Sequence, residues 1–300
     1  MKKLIGLIAV ISVLLFLVFT DCNKNTASNN SGNSGTTGTT SNPSAKYKGA
    51  LVGSTGYLTA FLQGNNSYIN VFYVDSSKTP VIVIKDSLTT AGLANWYPGQ
   101  GNALSNVLFK GSSGITVTLV SVNADGSNPV VSMSVPNDPY AKVYMLRDSV
   151  ASAPLQVYNG KATPVGNGVA GSGGNCTCAV KTINFVVNPA YIGSQYAGVT
   201  AIYIDNSSHL AGFLNGQISS TAPNQIVSIV NNNDTAGLHV YNGQGGPNSN
   251  NGSGYVSGSL TISTDGNTIS GTISGMYIPN YGLQSSSCAC SYAITAQRVN

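Results

Sequence analysis

Two stretches of this chain limit its fold more than any others. Residues 115–135 read ITVTLVSVNADGSNPVVSMSV and residues 258–275 read GSLTISTDGNTISGTISG. Each alternates apolar and polar positions on both sides of an Asp-Gly step, Asp125-Gly126 and Asp265-Gly266. Period-two alternation is the mark of a strand with one buried face. Asp-Gly between two such runs is a strong hairpin signal. Turn residues recur every 8 to 14 positions along the rest of the chain. That spacing predicts an all-β sandwich or barrel built from antiparallel hairpins.

Composition points the same way. The chain has no Glu, and charged residues make up 7% of it. An average soluble domain carries about 25%. Helix surfaces draw on Glu, Lys, Ala and Leu, whereas Gly, Ser, Thr, Asn, Val, Ile and Tyr dominate here. The net charge of +4 is not gathered into a Lys/Arg cluster beyond Lys2 and Lys3. A nucleic-acid partner is therefore not expected, because such binders concentrate positive charge on one face.

The chain also repeats itself. Residues 90–101, TAGLANWYPGQG, are echoed by residues 235–245, TAGLHVYNGQG. LTAFLQG at 58–64 is echoed by LAGFLNG at 210–216, and Pro80 with VIVIK by Pro223 with NQIVSIV. The two hairpins follow, then Pro136-Asn137 and Pro279-Asn280, then the pairs Cys176/Cys178 and Cys288/Cys290. The offset stays between 140 (125 to 265) and 152 (58 to 210) and drops to 112 at the cysteines (176 to 288). This order predicts two tandem homologous antiparallel β units, 46–188 and 189–300, the first carrying an insertion around 141–171. Two units are too few for a solenoid.

Lys2 and Lys3 precede an uncharged apolar run over residues 4–19. It is short for a membrane span, which needs about 20 residues, and suits a secretory signal. The run ends in Phe19-Thr20-Asp21-Cys22. This resembles a bacterial lipoprotein signal, of the looser kind found in Bacteroidota. Asp21 stands where that family usually has Gly, Ala or Ser, and Phe19 where Leu is commonest. The resemblance implies removal of residues 1–21, lipidation of Cys22, and a membrane partner reached through that lipid. The place it implies is the cell envelope, with the outer membrane or cell surface favoured over the inner membrane. Residues 22–45, almost all Asn, Ser, Thr and Gly, then read as a flexible linker.

Lipidation of Cys22 leaves an even set of four cysteines. Residues i and i+2 of a strand share a face, so each C-x-C presents two thiols side by side. Cross-strand disulfides among Cys176, Cys178, Cys288 and Cys290 are the first expectation for an exported protein. Bridges within each pair, or a four-thiolate metal site, are the alternatives, and C-x-C suits Cu(I) better than the C-x2-C of zinc.

Catalytic signals are sparse. His209 follows Asp205, and His239 follows Asp234, but neither has a counterpart in the first unit, where Tyr57 and Ala94 align. Without Glu, zincin motifs and Glu-based acid/base pairs are excluded, and no G-x-S-x-G, S-x-x-K or Walker loop occurs. No catalytic residue and no cofactor is therefore assigned. The repeated Y-x-G-Q-G offers an aromatic plate, an amide and glycines, which suit a glycan or protein ligand. Trp96, Tyr97, Gln100, Tyr241 and Gln244 are the candidate contacts. The same phrase also reads as fold punctuation, with Gly supplying a tight turn after a strand. The sequence thus points to a membrane-anchored extracytoplasmic protein acting as a non-enzymatic binding or surface-structural module. A metal-handling or thiol-redox protein using the C-x-C pairs is the alternative, and a hydrolase with an unrecognised site the third reading.

Overall fold

The computed structural model describes residues 42–52, 55–75, 80–139, 141–170, 174–193, 198–205, 211–232, 257–276 and 288–299. They form two antiparallel sheets, each curled into a barrel, as the hairpin pattern requires.

The first barrel is an up-and-down meander. It holds β1 (Ala45–Val52), β2 (Thr55–Leu62), β3 (Tyr68–Asp75), β4 (Ile82–Thr89), β5 (Leu104–Lys110), β6 (Thr116–Val122), β7 (Val130–Ser134) and β8 (Lys142–Arg147). Neighbours in sequence pair in order as far as β7, and β8 returns to pair with β1. The sheet is nearly closed, with β7 and β8 as its two ends. Alternate residues point inward: Leu58, Ala60 and Leu62 of β2, Ile69, Val71 and Tyr73 of β3, Val117 and Leu119 of β6. Full burial of each Leu, Ile or Val contributes about 1.5–3 kcal/mol.

The second barrel holds β9 (Gln156–Pro164), β12 (Lys181–Val187), β13 (Val199–Asp205), β14 (Ala211–Ile218), β15 (Gln225–Asn232), β16 (Ser257–Ile262), β17 (Thr268–Met276) and β18 (Cys288–Arg298). β18 pairs with β9 from Tyr292↔Pro164 to Arg298↔Tyr158, which closes the ring and leaves no edge there. Two short strands, β10 (Gly168–Ala170) and β11 (Asn175–Cys176), extend from the start of β18 as a flap.

The sheets divide between Arg147 and Gln156, not at 188/189. Residues 141–171, which read as an insertion, supply the last strand of the first barrel and β9 and β10 of the second. The repeat of the cysteine pairs would set β12, which follows Cys178, level with β18, which carries Cys288 and Cys290, yet these two strands stand on either side of β9 in one barrel.

The barrels pack side to side. Ala50 and Tyr144 from the outside of the first meet Leu155, Val157, Val186 and Ile202 from the second. This is why β12 is buried on both faces, Ile183 and Phe185 inward and Asn184 and Val186 outward, where simple alternation would expose one face. Asn184 donates its amide to the Leu51 carbonyl across the seam. With its amide oriented to satisfy both neighbours, Asn159 donates to Asn184 Oδ1 at 3.1 Å and to Gly56 O at 3.2 Å, and accepts from Gly56 N at 2.8 Å. Tyr144 donates to Thr200 Oγ1 at 3.5 Å, and burial pushes its phenol well above the usual tyrosine range. Buried polar groups are tolerated only when partnered in this way.

Candidate functional site

In the first barrel the repeated phrase lies at the thinnest ladder. β4 and β5 share one ladder pair, Thr89↔Lys110, and residues 90–101 connect them. β15 and β16 share two among the described residues, Gln225↔Thr261 and Ile226↔Leu260, and the second copy of the phrase lies between them in sequence. Where strands diverge, something else must fill the core and satisfy the backbone. In the first barrel the phrase does both. Leu93 and Trp96 enter the core. The Trp96 indole N–H donates to Asn102 O at 3.0 Å, and Trp96 O accepts from Gly64 N at 2.8 Å.

Tyr97-Pro98-Gly99-Gln100 then makes a turn in which Gln100 N donates to Tyr97 O at 3.0 Å. Pro at the second position and Gly99 at φ +81° in the third are the requirements of a type II turn. Gly99 N also donates to Ala124 O at 2.8 Å, which ties the phrase to the β6–β7 hairpin. Of the sequence candidates, Trp96 is 7% exposed and Tyr97 half-buried, so neither offers an open plate, while Gln100 is exposed. Tyr241 and Gln244 lie outside the described residues, as do Cys22, His209, His239 and Asp234. Asp205 ends β13, opposite Lys181 in the ladder.

Asp86, for which the sequence suggests no structural role, clamps the thin seam. Its Oδ2 accepts from Ser113 N at 2.8 Å and Ser113 Oγ at 2.5 Å, and its Oδ1 from Ser87 N at 2.9 Å. The Ser113 bonds hold its carboxyl below the usual range. Asp125 and Asp265 brace the two hairpin turns in the same way. Asp125 accepts from Ser127 N at 2.8 Å, and Asp265 from Ser263 Oγ at 2.5 Å and Asn267 N at 3.0 Å.

Among the described residues the cysteines form a dense cluster of sulfurs. Cys176 and Cys288 are at disulfide distance, as are Cys178 and Cys290, with Cα separations of 5.9 and 6.0 Å. The order follows from the flap. β11 is antiparallel to β10 and β10 to β18, so β11 runs with β18 and like-ordered cysteines match. Two strand spacings in a flat sheet would be about 9.6 Å. The shorter Cα separations therefore require β11 to lean across β10. Gly168 of β10 permits it. A Cβ there would stand 2.6 Å from Cys288 Sγ and 2.7 Å from Cys178 Sγ. Only glycine fits beneath the crossing, a role hidden within the Gly-rich run VGNGVAGSGG. Both bridges thus join residues 176–178 to β18 of the second sheet.

Lys181 is a further residue the sequence did not flag. It is 5% exposed, with its ammonium 5.4 Å from the centre of the Tyr292 ring. Such cation–π contact contributes about 0.5–2 kcal/mol.

No family model matches the chain, and no curated protein or solved structure matches it. Among the described residues no helix is long and apolar enough to cross a membrane.

Proposed function

We propose that the protein is a lipid-anchored extracytoplasmic module that works by binding or by structural display at the cell envelope, not by catalysis. The observation that carries this reading is the use made of its polar side chains. Asp86, Asp125 and Asp265 accept hydrogen bonds from nearby serines and asparagines, and Asn159 and Asn184 fasten one barrel to the other. The resulting two-barrel body suits a load-bearing or ligand-presenting part at the end of a tether over residues 22–45. The N-terminal signal supports export and attachment through Cys22 to the outer membrane or cell surface. Gln100, exposed beside half-buried Tyr97 at a barrel end, is the contact on offer to a glycan or protein partner.

Two measurements test this. Replacing Cys22 with Ser should move the protein from the membrane fraction to the soluble fraction. A panel of ester, glycoside and peptide substrates should show no turnover by the purified protein. Turnover that is lost on Asp205→Ala or His209→Ala would overturn the non-catalytic reading.

A further inference from the structure

We infer that Cys176, Cys178, Cys288 and Cys290, once reduced, form a site for a single thiophilic d10 cation, with Zn2+ as the representative probe. The inference rests on sulfur geometry and stands independently of the binding reading above. The Sγ atoms of Cys178, Cys288 and Cys290 lie within 4.8 Å of one another. Cys288 Sγ and Cys290 Sγ are 3.5 Å apart without being bonded to each other. The fourth sulfur, on Cys176, is held at bonding distance from Cys288 and lies outside that group of three. A tetrahedral zinc site with Zn–S near 2.3 Å has S···S edges of about 3.8 Å. The unbonded Cys288–Cys290 edge already nearly matches that length. On reduction the two bonded edges must open and the Cys176 sulfur must draw in, by side-chain rotation, while Cys288 and Cys178 Sγ keep the space left by the missing side chain of Gly168.

The chain supplies the rest of a closed site. Cys290 is buried, and Cys176, Cys178 and Cys288 are half-buried. Two segments far apart in sequence, 176–178 and 288–290, each contribute two ligands. This is the four-cysteine arrangement of structural zinc, reached by strand pairing and not by a knuckle. The reaction requires a dithiol reductant. Two equivalents of a dithiol reduce both disulfides, giving four protein thiols and two oxidised, cyclised dithiols. Binding of Zn2+ then forms four Zn–S bonds and releases four protons to solvent. The cation would hold β11 against β18 as the disulfides do, so the flap survives in a reducing setting.

The experiment uses the exported protein with Cys22→Ser, leaving Cys176, Cys178, Cys288 and Cys290 as the only thiols. It is reduced with dithiothreitol, freed of reductant without oxygen, and mixed with Zn2+ alone. Native mass spectrometry should show one Zn2+ per chain, and all four thiols should become protected from iodoacetamide. The Cys288→Ser/Cys290→Ser variant should bind none. Failure of the reduced protein to take up stoichiometric Zn2+, with its thiols still alkylated, would overturn the proposal without reference to that variant's folding. Uptake that persists in the variant would overturn it equally.

Discussion

Deleting one of the two disulfides, by replacing both its cysteines with Ala, should cost far less than half of what deleting both costs. The reason is topological. Each bridge joins positions 112 residues apart. Closing a loop of that length restricts the unfolded chain by about 5 kcal/mol. Once Cys176–Cys288 is made, however, Cys178–Cys290 closes only a ring of six residues, 176–178 and 288–290. A ring of that size is worth about 2 kcal/mol on the same scale. Either single deletion leaves the long loop closed and should cost about 2 kcal/mol, whereas the double deletion should cost about 7. The excess of about 3 kcal/mol over the sum of the singles is the coupling term of a double-mutant cycle. Urea unfolding of the Cys22→Ser protein under oxidising conditions, read by far-ultraviolet circular dichroism, measures all four corners. Additive costs would refute the adjacent-bridge geometry, and so would a double deletion no more costly than a single one.

Gly168→Ala should destabilise the oxidised protein by about 1–3 kcal/mol, as overpacking does, and by less once both disulfides are removed. Paired melting curves in the two backgrounds check this, and equal effects would argue against the sulfur crossing. Asn184→Ala removes the donor to the Leu51 carbonyl and one of the two acceptors of the Asn159 amide in the seam between the barrels. A loss of about 1–3 kcal/mol is expected in denaturant unfolding, the cost of a buried polar group that loses its partner. Asp86 has its pKa lowered in the folded state, so its contribution is full above the unfolded value near 3.9 and is lost as pH falls through the folded value. Asp86→Asn should therefore be less stable than the native chain at neutral pH, with the gap closing in acid. A gap in melting temperature that is constant with pH would contradict that assignment.

The parts of this fold that sequence reveals are those fixed by local chemistry. Asp125-Gly126 and Asp265-Gly266 announce their hairpins because Gly supplies φ of +84° and +70° where other residues are strained. Pro98-Gly99 announces its turn for the same reason. The period-two runs of β6 and β17 place Val117, Leu119, Ile269 and Ile273 in the cores as alternation requires. Long-range pairing is where legibility ends. Nothing local distinguishes β8, which returns to β1, from β9, which opens the next barrel. The burial of Asn184 and Val186 depends on the first barrel packing against β12, which no local pattern encodes. Trp96 read as a candidate contact plate because an aromatic on a loop looks exposed, yet the diverging β4 and β5 draw it into the core. Gly168 is one glycine among many in its run until the sulfurs above it are placed.

The most direct single test is the intact mass of the protein extracted from cell membranes, measured with and without reductant. The expected result is a chain that begins at a lipidated Cys22 and is four protons lighter than its reduced form. A chain that retains residues 1–21, an unmodified Cys22, or four free thiols in the untreated protein would contradict a lipid-anchored two-barrel module locked by paired disulfides.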